Sequence, residues 1–133
     1  MPYTNTKYIF DLEADSLLDD VTTVHCLVLI ENDKVISFTP DKIQDGLKLM
    51  SKADELVGHN IIDYDLRVLK KLYDFEFKGK VFDTLVASRT IWPHLFQLDA
   101  EMSHINSNLY GSHSLKAWGY RLGELKGKFN QGA

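Results

Sequence analysis

Val24-His25-Cys26-Leu27-Val28-Leu29-Ile30 is a nearly unbroken apolar run. Such a run, too short for a membrane span and rich in branched residues, reads as a strand buried on both faces, and so lies inside a sheet. Its neighbours fix how that sheet grows. Glu31-Asn32-Asp33-Lys34 is a hairpin turn leading into a further strand, Val35 to Thr39, and Lys7 to Phe10 forms a strand upstream. Three consecutive strands joined this tightly imply an antiparallel meander. Beyond Pro40-Asp41 the pattern changes. Ile43, Leu47, Leu49 and Met50 recur at helical spacing, and Glu55-Leu56-Val57-Gly58 is a short strand ending in glycine. A helix capped by Asn60 or Asp63 runs to the Asp74 region, and Val81-Phe82 is a brief strand. A helix from Leu85 to Ile91 stops at Pro93, residues 94–111 read as irregular, and Ser114 to Leu122 forms a last helix. Its apolar face is Leu115, Trp118 and Leu122. The later strand–helix alternation adds parallel strands to the meander, giving a mixed α/β sheet flanked by helices.

The chain has 133 residues, room for one compact domain with a real core but not for two. No linker or internal repeat divides it, so residues 1–133 read as a single domain. The formal net charge of −4 excludes a generally basic nucleic-acid binder. Charge is nonetheless segregated. Asp11 to Asp20 carries only acids, whereas Leu115 to Phe129 carries Lys116, Arg121, Lys126 and Lys128 against Glu124 alone. Acids beside a basic strip suit a phosphodiester substrate. Cys26 is the only cysteine, which excludes a disulfide framework and a cysteine-based zinc site and fits a buried small residue. No apolar run approaches a membrane span and no signal-peptide core is present, so the expectation is a soluble cytoplasmic protein with no membrane partner.

Tyr8-Ile9-Phe10-Asp11-Leu12-Glu13 begins as a strand and ends in two acids. Side chains alternate along a strand, so Asp11 and Glu13 project to the same side. Two carboxylates held so close repel one another, and a hard divalent cation such as Mg²⁺ relieves that repulsion. A solvated strand end on which two acids happen to alternate has the same pattern.

A second stretch, Gly58-His59-Asn60-Ile61-Ile62-Asp63-Tyr64-Asp65-Leu66, places a glycine, a polar pair and acids between a strand end and a helix. Together with Phe10-Asp11-Leu12-Glu13 it resembles the DEDD 3′–5′ exonucleases. Their first motif is an acid, any residue, then Glu. Asn60 followed by Asp65, with an aromatic just before the acid, is similar to their second motif. Asp83-Thr84 matches a further strand end in such domains. Gly111-Ser112-His113-Ser114-Leu115-Lys116-Ala117-Trp118-Gly119-Tyr120-Arg121-Leu122-Gly123 looks like the proofreading domain of family A DNA polymerases from short-tailed bacteriophages. The similarity runs from about Tyr8 to Phe129.

The resemblance implies a ribonuclease H-like fold and two-metal hydrolysis of 3′-terminal nucleotides, with two Mg²⁺ or Mn²⁺ ions in the complete domain. It implies Asp11 as the ligand shared by both ions, Glu13 and Asp65 as further ligands, and Asn60 as the residue orienting substrate. Leu17 would wedge against the terminal base, and His59 would touch substrate or make a structural hydrogen bond. The implied partners are the 3′ end of single-stranded DNA and the remainder of a DNA polymerase, on the same or a separate chain, in the host cytoplasm.

The family's third motif, a late helix carrying Tyr or His with an Asp four or five residues on, has no counterpart at the matching place. The expectation is therefore a domain cut before that motif, weakly active or inactive alone. His94 to Asp99 and Tyr120 to Glu124 imitate its spacing from the wrong positions. Other candidates have plain structural readings. Asp63 reads as a helix cap rather than a ligand competing with Asp65, and Asp83 reads as a cap for the helix that follows it rather than as a group supporting the metal ligands. Trp118 reads as core rather than as a platform that, with Tyr120, stacks on bases. Lys116, Arg121 and Lys126 read as solvated positions rather than phosphate contacts, and no residue stands at a recognisable metal-ligand spacing from His113 in the sequence. The alternative function is a non-catalytic nucleic-acid-binding or polymerase-docking module that keeps the exonuclease fold.

Overall fold

The computed structural model describes residues 5–102 and 104–123. The chain divides into two compact units, Met1–Thr84 and Leu85–Ala133. The first contains the sheet: β1 (Lys7–Ala14), β2 (Val24–Glu31), β3 (Lys34–Phe38), β4 (Glu55–Gly58) and β5 (Lys80–Asp83), in the order β3-β2-β1-β4-β5. β1, β2 and β3 form the antiparallel meander, while β4 lies parallel to β1 and β5 parallel to β4. With helices α1 (Ile43–Ser51) and α2 (Leu66–Tyr73), this is the expected mixed α/β sheet of ribonuclease H-like type.

The strands follow from the period-two alternation of their side chains. Along β1, Tyr8, Phe10 and Leu12 are buried, whereas Lys7, Ile9, Asp11 and Glu13 are exposed. Leu27 and Leu29 of β2 and Leu56 of β4 join the same core, with Ile43, Leu47 and Met50 of α1 and Val68 and Leu69 of α2. β2 is buried completely on this face only, because Cys26, Val28 and Ile30 on the other are partly exposed. Its unbroken apolarity had pointed to burial on both faces. Among the described residues no helix is long and apolar enough to cross a membrane.

β4 ends at Gly58 for a steric reason. A Cβ there would stand 2.4 Å from the Ile61 side chain and 2.9 Å from the Phe10 carbonyl oxygen. The chain turns here between β1 and the following turn, and only glycine leaves room. Gly58→Ala should lower stability by about 1–3 kcal/mol through overpacking, measured as a reduced urea midpoint with unchanged slope.

The second unit holds α3 (Thr84–Ile91, continuing from the first), α4 (Leu95–Ala100) and α5 (Leu115–Leu122). α4 occupies part of the stretch 94–111 that read as irregular. Its six residues turn Leu95 and Asp99 inward, too few for a helical period to be visible in the sequence. α5 starts where expected, with the Ser114 hydroxyl accepting from the Ala117 N–H at 3.1 Å. Its apolar face differs from expectation: Leu115 is 54% and Leu122 70% exposed, and Ala117 is the buried residue.

This unit is fastened by polar groups. Asp99 is fully buried and takes two bonds from Arg121, Nε to Oδ1 at 2.8 Å and Nη2 to Oδ2 at 2.7 Å. The Gly111 N–H adds a third at 2.8 Å, and together these hold the Asp99 carboxyl below its usual range, with Arg121 the main cause. Arg121 also donates to the Ser112 carbonyl and lies 4.7 Å from the centre of the Trp118 ring. Trp118 is half-buried, packs on Trp92 and donates its indole N–H to Ser88, whose hydroxyl also bonds His113. Arg121 is thus a buried ion-pair partner rather than a solvated or phosphate-facing cation. Asp99 is likewise structural, and Trp118 belongs to this polar-aromatic cluster rather than to a leucine face. Arg121→Ala should cost about 3–5 kcal/mol by leaving a buried charge unpaired, with Arg121→Lys only a partial rescue because the two-pronged geometry is lost. Thermal melts of both variants check this.

Candidate metal and substrate site

The carboxyl ends of the three mutually parallel strands lie on one edge of the sheet, and ligand sites of open α/β sheets form at such an edge. β1 brings Asp11 and Glu13 there, β4 runs out into His59 and Asn60, and β5 ends at Asp83. β1 pairs with β4 only from Lys7 to Ile9, so the edge of β1 beside Asp11 and Leu12 is left to other groups. Asp11 and Glu13 are both exposed on the face opposite Phe10 and Leu12, as their spacing predicts. A register shift between Glu13 and Ala14 ends the regular pairing with β2 immediately afterwards.

Asp65 reaches this edge on a π-helical turn, Ile61–Asp65, closed by the Leu66 N–H on the Ile61 carbonyl. Such single-turn widenings are rare and concentrate at functional sites. The Asp65 side chain is 5% exposed, and its Oδ2 has no hydrogen-bond partner. Burial pushes its carboxyl up to about 7, with the Asp11 charge adding to the effect and an N–H bond from Leu12 opposing it. A buried carboxyl with one unsatisfied oxygen beside a second carboxylate is a donor set that a hard cation fits. Asp65 and Asp11 are the pair that would hold it, and Glu13 shares the exposed side of the strand with Asp11. Among the described residues no three His, Cys, Asp or Glu side chains are already gathered to hold a metal ion.

The turn takes its shape from Asp83. Its Oδ1 accepts from the Asn60 N–H at 2.8 Å and its Oδ2 from the Ile62 N–H at 2.9 Å. Asp83 therefore caps the turn before it in space. Asn60 occupies the cap position with φ 60° but makes no side-chain cap bond, and Asp63 is exposed within the first turn without capping it. His59 makes the structural hydrogen bond: its Nδ1 lies 2.9 Å from the Thr84 hydroxyl, which donates to the Gly58 carbonyl. That hydroxyl has one proton, so Nδ1 is the donor, and the buried Nε2 is left without a partner.

Leu17 is 78% exposed, yet the loop that carries it is tied down on both sides. The Asp15 carboxylate accepts from the N–H groups of Thr22 and Thr23 and from the Thr22 hydroxyl, which lower its pKa to about 2. The Tyr64 hydroxyl donates to the Ser16 carbonyl at 2.5 Å, and Lys71 Nζ donates to the carbonyls of Leu18 and Asp19. Sequence reading missed Asp15, Tyr64 and Lys71 as supports of this site. The aromatic preceding Asp65 was the available signal. Lys116 is exposed on α5, and Glu124, Lys126 and Lys128 lie outside the described residues.

No family model matches the sequence. Two curated proteins align with most of it. The DNA-directed DNA polymerase of Escherichia phage T7 is 33% identical over 137 aligned residues, covering 91% of this chain. That of Enterobacteria phage T3 is 34% identical over the same length. The chain is similar to one segment of phage DNA polymerases. It spans about a fifth of the length of these relatives.

Asp65 carries a pH signature. Its folded-state pKa is raised, so the folded chain binds more protons than the unfolded one between the ordinary aspartate range and about 7. Stability from this group is therefore present at low pH, declines as pH rises through that window and is flat above it. Asp65→Asn removes the ionisation while keeping an oxygen for the Leu12 N–H. The variant should exceed the parent chain by about 1–3 kcal/mol near pH 8 and lose that advantage near pH 4, in paired urea titrations.

Proposed function

We propose that this chain is the N-terminal part of a 3′–5′ proofreading exonuclease domain of a phage-type DNA polymerase, acting on the 3′ end of single-stranded DNA. The observation that carries this reading is the unpartnered, buried oxygen of Asp65 beside Asp11. The similarity to phage DNA polymerases over most of the chain supplies the context. Asp11, Glu13 and Asp65 would hold Mg²⁺ or Mn²⁺; when bound, the ions supply Lewis-acid activation of the phosphodiester and of the attacking water.

The chain's own residues do the remaining work. Burial raises the Asp65 carboxyl to about 7, so a cation held by its free oxygen would compete with the proton there. Leu17, held out by its anchored loop, offers an apolar surface to the terminal base. Asn60 presents its side chain at the turn because Asp83, and not Asn60, satisfies the turn's amides. His59 holds the Thr84 hydroxyl through Nδ1, and its buried Nε2 has no hydrogen-bond partner among the described residues. Asp99 is committed to Arg121, so it does not supply the family's fourth carboxylate. Turnover by this chain alone should therefore be slow, because Mg²⁺ tolerates incomplete ligand sets badly.

A second reading keeps the fold without the chemistry: a module docking against the rest of a DNA polymerase. It is favoured by Ile91, Phe96, Leu115 and Leu122, all more than half exposed in the second unit.

Millimolar Mn²⁺ should raise the melting temperature of the chain, and Asp11→Ala or Asp65→Asn should remove the rise. A 3′-labelled single-stranded oligonucleotide should release mononucleotide slowly in Mn²⁺, and not at all with Asp11→Ala. No melting shift together with no release would refute the exonuclease reading and leave docking.

A further inference from the structure

Asp83 is 5% exposed at the end of β5, and its two oxygens take the amides of Asn60 and Ile62. Those amides open the π-helical turn that ends in Asp65, and helix-opening amides have no partner within the helix itself. A charged acceptor holding both is stronger than a neutral one and fixes the backbone between them in two places. The backbone needs such holding. Asn60 sits in the left-handed region, which a non-glycine residue enters only with outside support. The turn is closed by a bond spanning five residues, a geometry less stable by itself than an ordinary α-turn. The Asn60 side chain does not replace the clamp, since it makes no cap bond.

We propose that Asp83 is a positioning residue: by clamping the amides of Asn60 and Ile62, its carboxylate sets the turn that delivers the Asp65 carboxyl to Asp11. The role rests on reading Asp65 as a cation ligand, and it assigns Asp83 no contact with metal or substrate. Asp83→Asn keeps the size and one acceptor oxygen, but its NH₂ group meets the second amide donor to donor. One of the two amides is then unpaired, and the turn loses its fixed geometry while the sheet keeps its pairing.

The test uses the whole chain, with Mn²⁺ as the probe. In the parent chain, through-hydrogen-bond couplings should link the Asn60 and Ile62 amides to the side-chain carboxyl carbon of Asp83. Their absence overturns the proposal whether or not the variant folds. In Asp83→Asn, Mn²⁺ affinity measured by calorimetry should fall about 10–100-fold, the range seen when a group supporting a metal ligand is lost. Exchange of the Asn60 and Ile62 amides should accelerate in the same variant. Leu47→Ala, a core truncation in α1, serves as a control for lowered global stability and should leave Mn²⁺ affinity as in the parent. Unchanged affinity in Asp83→Asn, or an equal fall in Leu47→Ala, overturns the positioning role. Failure of the parent chain to bind Mn²⁺ refutes the metal reading instead. The clamp is then decided by amide exchange alone: acceleration confined to the Asn60–Ile62 turn sustains it, and unchanged protection overturns it.

Discussion

A carboxyl group buried with one oxygen unpaired is an expensive thing for a small sheet to carry. Asp65 is in that position, and much of the first unit can be understood from what holds it there. Transfer of an ionised carboxylate out of water is so unfavourable that the group raises its pKa instead of remaining charged. Two features prevent the simpler escape of turning the side chain outward. The Leu12 N–H bonds the carboxyl at the sheet edge, and the turn that carries Asp65 is pinned at its start by Asp83. Gly58 completes the arrangement, since any larger residue would push Ile61 away from β1 and shift the start of the turn. Destabilised groups kept in place by their surroundings are a recurring property of functional sites.

The same logic separates what could be read from the sequence from what could not. The acids of β1 were legible because their faces depend on strand alternation alone, and the burial of Tyr8, Phe10 and Leu12 confirms that alternation. The strand at Glu55–Gly58 was legible because four residues and a glycine stop define it. Asp83 read as a cap for the helix beginning one residue later because capping is ordinarily a local event. Two of its partners, the amides of Asn60 and Ile62, are more than twenty residues away, brought near by the parallel pairing of β4 and β5. The anchors of the Leu17 loop failed to show for the same reason, as Tyr64 and Lys71 reach it from about fifty residues downstream.

The second unit was less legible because its periodicity is misleading. Leu115, Trp118 and Leu122 recur at helical spacing and read as a buried face. In the fold, the interior is built around an ion pair: Asp99 and Arg121 are buried, and Trp118 is held by Arg121, Trp92 and Ser88. A charged pair is buried only with a partner, and the pairing of residues 99 and 121 is a tertiary fact no local pattern encodes. The exchange leaves two leucines exposed on α5.

The two units consequently use carboxylates in opposite ways, and the contrast bears on function. Asp99 is fully buried, and each of its oxygens is satisfied, by a guanidinium and by a backbone amide; its pKa is lowered and it has nothing left to offer a ligand. Asp65 is nearly as buried, yet among the described residues it has no ion-pair partner, and its pKa is raised. Burial alone therefore does not distinguish a structural acid from a candidate ligand. The distinction is whether the fold supplies the counter-charge. Where the chain provides an arginine, the carboxylate strengthens the structure. Where it provides a second carboxylate, in Asp11, the repulsion is relieved by protonation of Asp65 at low pH, and under the proposed function it would be relieved by a bound cation at higher pH.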